Sequence, residues 1–170
     1  YTDHENEIPL FKDNGGATAL SPVEGTVPQN KEGLLPEEKM PKTTEEYTAL
    51  YEASKAVTTS PLDPKNVAKD IERGKKMYEQ TCSACHGLNG DGQGPIVQSG
   101  AYSGVPAYKD RAITVGTIHY VITNGRNLMG SYAGQLTPAD RWRVSMYIMS
   151  AFKAPEAAPA PAASTTETNT

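Results

Sequence analysis

Apolar residues recur at helical spacing in four stretches of the chain, and no stretch shows the strict alternation of a half-buried strand. In "TTEEYTALYEASKAV", Tyr47, Leu50 and Tyr51 share a helical face, Thr43 or Thr44 can cap, and Glu45 and Glu46 suit the first turn. A short helix over about 44–57 is predicted there. "NVAKDIERGKKMYEQTC" predicts a helix over 66–82, capped by Asn66, with Val67, Ile71, Gly74, Tyr78 and Cys82 on or near one stripe. A glycine inside a helix costs about 1 kcal/mol relative to alanine, so Gly74 implies close approach of another helix. The partner expected is "LTPADRWRVSMYIMSAF". There Thr137 can cap, Pro138 takes the first helical position, Asp140 completes a variant capping box, and Val144, Tyr147, Ile148 and Ala151 form the apolar face. Between these two, "TVGTIHYVITNG" predicts a helix from about Thr114, ended by Gly125.

The flanks lack this periodicity. Residues 1–65 contain Gly15, Gly16, Gly25, Gly33 and prolines from Pro9 to Pro64, which predicts an extended arm carrying the short helix. The stretch "APEAAPAPAASTTETNT" has the Ala/Pro/Thr composition of a disordered or extended tail over 154–170. That leaves 66–153 as the folded domain, mainly α. An apolar content of 37% over 170 residues agrees with a compact centre and extended flanks. No run of about 18 apolar residues could span a bilayer, so the chain is expected to be soluble by itself. It starts at Tyr1 without the pattern of a signal peptide, consistent with a leader removed upstream.

Charge sharpens the division. Residues 1–65 carry 6 Lys+Arg against 12 Asp+Glu, residues 66–153 carry 10 against 6, and residues 154–170 carry 0 against 2. A mildly basic centre flanked by acidic arms can steer a charged partner at low salt, although ordinary solvated surface looks the same. No nucleic-acid partner is expected.

The chemistry lies in "QTCSACHG", which contains both cysteines of the chain, Cys82 and Cys85. A thioredoxin-like redox pair would want a βαβ context, and none is visible. A structural zinc site wants four ligands, and His86 is too close to Cys85 in sequence for both to join one tetrahedron without strain. The pattern C-x-x-C-H instead matches covalent haem attachment, in which the two thiols add across the vinyl groups and His86 binds the iron. One haem c is therefore expected.

A sixth ligand decides between electron carrier and catalyst. Met40 lies in the arm, and Met77, Met146 and Met149 lie on helices where packing is the simplest role. Met129 stands in "NGRNLMGSYAG", a glycine-flanked loop between helices, and is the preferred axial ligand. His119 competes, but its place within a helix suggests a partly exposed helix residue. An iron held by His86 and Met129 has no open position for substrate, and a thioether ligand raises its reduction potential. A five-coordinate haem would instead make a gas sensor or a peroxidase.

Weaker expectations complete the site. A carbonyl near Pro95 is expected to accept the second imidazole N–H of His86. Tyr108, Arg111, Arg126, Tyr132 and Trp142 are candidates for haem packing or propionate contacts, with Arg111 preferred because a guanidinium matches a carboxylate in bidentate fashion. Asp91 in "GLNGDGQGP" is one carboxylate, too few for a calcium site, and reads as a turn.

The helix bearing Gly74, Tyr78 and Cys82, then "CSACHG", a methionine loop and a terminal helix with Val144 and Tyr147, resembles class I cytochrome c. More specifically, "GDGQGPIVQSG", "VITNGRNLMGSYAGQLTPADRW" and the upstream "PVEGTV" resemble the monohaem cytochrome c subunit of bacterial alternative complex III, a quinol-oxidising membrane complex. In that family the ligand methionine is usually followed by proline, where this chain has Gly130. The resemblance implies an electron-transfer subunit, not itself an enzyme, on the periplasmic side of the inner membrane, peripheral or lipid-anchored. It implies partners in the pentahaem cytochrome, iron-sulfur and membrane subunits of that complex, with a downstream cytochrome c or terminal oxidase as acceptor. The long arm would wrap over neighbouring subunits. A freely diffusing periplasmic carrier is the alternative.

Overall fold

The computed structural model describes residues 25–26, 35 and 38–153. The chain divides into two units, Tyr1–Leu34 and Leu35–Thr170. In the first, only Gly25 and Thr26 are described. The expectations of an extended arm before Leu35 and of an Ala/Pro-rich tail over 154–170 lie outside the described residues.

Six α-helices occur among the described residues of the second unit: α1 Thr44–Ser54, α2 Val67–Met77, α3 Ser83–His86, α4 Pro95–Gln98, α5 Val115–Asn124 and α6 Pro138–Phe152. No strand occurs among the described residues, which carry one isolated bridge, Arg126 to Met129. The described fold is mainly α.

Local chemistry sets most helix ends. The Thr43 hydroxyl accepts from the Glu46 N–H at 3.1 Å and starts α1, while Thr114 and Thr117 form a reciprocal capping box at the head of α5. Thr137 accepts from the Asp140 N–H at 3.2 Å, with Pro138 opening α6 as expected. Helix α1 ends at Ser54, short of residue 57, because the chain turns there to place the Val57 carbonyl on the Gly116 N–H at 2.9 Å. Asn66 makes no side-chain cap, contrary to expectation. Asp63 caps a 3-10 turn, Pro64–Asn66, that runs into α2.

The expected continuous helix to Cys82 is interrupted by a π turn over Tyr78–Cys82, a feature frequent at functional sites. The inward stripe of α2 also differs from the sequence reading: Val67 is exposed, whereas Asp70 and Gly74 are buried. Asp70 accepts from Arg143 Nε of α6 at 2.8 Å, and a buried charge paired in this way can take an inward position. Gly74 fits the close crossing expected of it, since a Cβ there would overlap the Arg143 carbonyl.

Two apolar clusters follow. Tyr78, Ile118, Ile122, Leu136, Val144 and Ile148 form the main core, against which Met77, Met129, Tyr132 and Met149 pack. Leu62, Val115, Ala139 and Trp142 form the second, with Met146 against it. Of the apolar face expected on α6, Val144 and Ile148 are buried, Tyr147 is half-buried and Ala151 is exposed. No helix among the described residues is long and apolar enough to cross a membrane.

Candidate functional site

Beside the main core lies a cavity of about 510 Å³. Cys82 reaches it from the π turn, Cys85 and His86 from α3, and Met129 from the loop after α5. Ile113, Ile118, Val121, Ile122 and Ile148 supply apolar wall, while Arg111, Arg126 and Tyr132 also line it. Residues separated by more than forty positions thus share one space.

The two thiols are free and half-buried. Burial, and then the neighbouring Cys85, push the Cys82 thiol up to about 12, so it is not a thiolate at neutral pH. That environment disfavours thiol–disulfide exchange, which needs the thiolate.

His86 is held from several sides. The Gly92 N–H donates to its carbonyl at 2.9 Å, and the Gly94 N–H donates to that of Cys85 at 3.1 Å, folding the following loop back over α3. The Tyr108 N–H bonds the Gly90 carbonyl at 2.9 Å, which brings the Tyr108 ring parallel to the imidazole at 4.9 Å. Behind it, Phe152 stacks on Tyr108 at 5.6 Å. Tyr78, fully buried, donates to the Gly87 carbonyl at 2.8 Å and fixes the end of α3. Burial lowers the His86 pKa, favouring the neutral imidazole that binds metals. Its Nδ1 is buried and finds no hydrogen-bond partner among the described residues.

Met129 sits at the end of a tight turn. The Arg126 N–H donates to the Met129 carbonyl at 2.9 Å and the Met129 N–H to that of Arg126 at 3.0 Å, with Asn127 in the left-handed region at φ 53°. Gly125, at φ 76°, is needed for two reasons: the backbone conformation, and the Met129 carbonyl, which a Cβ would approach to 2.6 Å. The Tyr102 hydroxyl donates to the Leu128 carbonyl at the exposed tip.

Three expectations are corrected. Pro95 is exposed and does not line the cavity, and the expected bond from His86 to a carbonyl near it is not formed, since His86 Nδ1 has no partner among the described residues; the Pro95 carbonyl accepts from the Ser99 N–H at 3.0 Å. Trp142 lies in the second core, away from the cavity, with its ring stacked on His119 at 3.7 Å. His119 is buried instead of partly exposed and faces Glu38, 3.2 Å from Nε2 to Oε1. It is not among the cavity residues and so does not compete with Met129 there.

Among the other candidates, Tyr108, Arg111, Arg126 and Tyr132 line the cavity; Arg111 is exposed, and Arg126 lies with its guanidinium 4.2 Å from the centre of the Tyr51 ring. Sequence reasoning missed Tyr51, Tyr102 and the isoleucine wall. The shared face of Tyr47 and Tyr51 and the apolar run of α5 were the available signals.

The donor set fits a covalently held haem: two free thiols three positions apart, an imidazole whose neutral form burial favours beside them, and a thioether bordering the same apolar space. Residues 69–148 match the family model described as cytochrome c oxidase, cbb3-type, subunit III. Cytochrome c6 of Bumilleriopsis filiformis is 30% identical over 81 residues, covering 48% of this chain and 91% of that protein. Cytochrome c6 of Porphyra purpurea is 26% identical over 90 residues, covering 49% and 73% respectively. Among solved structures, a chain of the Kuenenia stuttgartiensis reducing HAO-like protein complex superposes with a TM-score of 0.44 at 25% identity, covering 56% of this chain and 47% of that one.

Proposed function

The chain belongs to the cytochrome c family, and from that premise we propose that it carries one haem c at Cys82 and Cys85 and serves as an electron-transfer subunit of a membrane respiratory complex of the alternative complex III type. The observation that supports this reading best is the meeting of Cys82, Cys85, His86 and Met129 at one cavity. When bound, the haem supplies a one-electron ferric/ferrous couple.

The protein's own residues divide the remaining work. Cys82 and Cys85 tether the group by thioether bonds. His86, its neutral form favoured by burial and its ring lying along that of Tyr108, would bind the iron, and Met129 would supply the second protein ligand. The isoleucine wall excludes water and thereby favours the less charged, reduced state. Arg111 and Arg126, at the border of the cavity, would pair with the propionate carboxylates. With His86 and Met129 both holding the iron, the group would supply electron transfer and no bond-making step.

The resemblance of "VITNGRNLMGSYAGQLTPADRW" to the monohaem subunit of alternative complex III supports the finer assignment. On that reading the subunit lies at the periplasmic face of the inner membrane, peripheral or lipid-anchored. Electrons arrive from quinol by way of iron-sulfur and pentahaem cytochrome subunits and leave to a cytochrome c or terminal oxidase.

Two experiments test these levels separately. The ferric holoprotein is expected to show the thioether-to-iron charge-transfer band, and the reduced protein to resist carbon monoxide. Met129→Ala should abolish the band, lower the reduction potential and admit carbon monoxide. An unchanged potential in that variant would assign the ligand elsewhere. Capture of the chain from native membranes should bring the pentahaem and iron-sulfur subunits with it, whereas recovery as a stable monomer would favour a freely diffusing carrier.

A further inference from the structure

The turn that carries Met129 is gripped from outside the segment matching the family model. That match begins at residue 69, whereas α1 spans Thr44–Ser54. From α1, the Tyr47 hydroxyl donates to the Gly125 carbonyl at 2.6 Å, at the residue where α5 ends and the turn begins. One helical turn further on, the Tyr51 ring lies under the Arg126 guanidinium, 4.2 Å from its centroid, and borders the cavity. Helix α1 is itself fastened to α5. The Tyr120 hydroxyl donates to the Tyr47 carbonyl at 3.1 Å, the Tyr47 and Tyr120 rings meet edge to face at 5.1 Å, and the Gly116 N–H donates to the Val57 carbonyl at 2.9 Å.

These contacts converge on Gly125 and Arg126, the first two residues of the turn, and Arg126 exchanges both backbone hydrogen bonds with Met129. A displacement of Arg126 therefore carries the Met129 backbone with it. The position after Met129 is Gly130, which is exposed and leaves the loop without local stiffening there.

We propose that Tyr47 and Tyr51 of α1 are positioning residues for the methionine ligand, holding the Gly125–Met129 turn so that the Met129 thioether stays on the iron. The inference rests on the His86/Met129 ligation proposed above. A hydrogen bond to a carbonyl or a cation–ring contact of this kind shifts an open/closed equilibrium by about fivefold. Loss of either side chain should raise the open population of the turn by that factor without altering the covalent attachment.

The test uses the full-length holoprotein and its Tyr47→Phe, Tyr51→Leu and Tyr51→Phe variants. Tyr47→Phe and Tyr51→Leu should each accelerate carbon monoxide binding to the reduced protein, and amide exchange at Met129, by about fivefold, and should lower the reduction potential. Tyr51→Phe keeps the aromatic face and should behave as wild type. A purely structural role for α1 would lower the urea midpoint and leave carbon monoxide binding and the potential unmoved, which would overturn the inference. Absence of the thioether-to-iron band from the wild type would sink the ligation and the inference together. A wild-type band with Tyr47→Phe and Tyr51→Leu indistinguishable from wild type would overturn the inference alone.

Discussion

A methyl group added at Gly74 would overlap the Arg143 carbonyl oxygen, and backbone on both sides leaves little room to yield. Helix propensity alone would make Gly74→Ala stabilising by about 1 kcal/mol, while overpacking costs about 1–3 kcal/mol or more. Contact with backbone favours the second effect. The expected outcome is a loss of about 2 kcal/mol, read as a lower urea midpoint at unchanged slope; a gain in stability would mean that the helices do not cross there. Tyr78→Phe should cost about 1–2 kcal/mol in the same measurement, because the Gly87 carbonyl loses its donor where Tyr78 is fully buried. Gly74 and the C-x-x-C-H residues were legible in sequence because each carries a signal of its own: a residue type whose local disadvantage or chemistry needs a reason. Trp142 and His119 were not. Their stacking and burial depend on what α5 and α6 present to each other, which residue type alone does not reveal.

Between elements, the α2–α6 crossing is reinforced by charge. Arg143 donates from Nε to Asp70 and from Nη1 to Asp140, each at 2.8 Å, and Arg73 Nε reaches Asp140 at 2.8 Å from the solvent side. Burial pushes the Asp140 carboxyl up, but hydrogen bonds from Arg73, Arg143 and Thr137 outweigh it and hold the pKa below its ordinary value. Arg143→Met would leave two buried carboxylates without that guanidinium and should destabilise the protein by about 3–5 kcal/mol. Arg143→Met combined with Asp70→Leu should recover part of the loss; no recovery would show that the pair does not couple. The starts of α1, α5 and α6 were readable because a cap is a contact within three or four residues of sequence, as at Thr43, Thr114 and Thr137, whereas Asn66 offered the same residue type and makes no cap. The inward position of Asp70 was not readable, since its partner Arg143 lies on a facing helix about seventy residues away, and the π turn has no signal in the residue types of Tyr78–Cys82.

Across the whole second unit, acidification should act in two stages. Burial lowers the His119 pKa below its ordinary value of 6.5 more strongly than the Glu38 carboxylate raises it, with Arg141 adding to the lowering. The folded protein thus keeps His119 neutral where the unfolded chain already binds a proton. Its contribution to stability is complete above about pH 6.5 and is lost as pH falls through the lower folded value. Glu38 follows at lower pH. Burial pushes it up, but contacts with His119 and Arg141 outweigh burial and hold it below 4.5, so its contribution is present above that value and lost as pH falls through the folded one. The Glu38 carboxylate also accepts from Arg141, itself buried and donating to the Leu136 carbonyl at 2.7 Å, so the segment before α1 is fastened to α6 by the same group. Urea midpoints measured from about pH 8 to about pH 4 should fall first below pH 6.5 and again below pH 4.5. His119→Gln should flatten the first fall, and Glu38→Gln should diminish the second. A first fall that survives His119→Gln at full size would assign it to another titrating group. In the holoprotein, His86 bound to iron would not contribute to that fall, so a larger loss in the haem-free chain would identify its share.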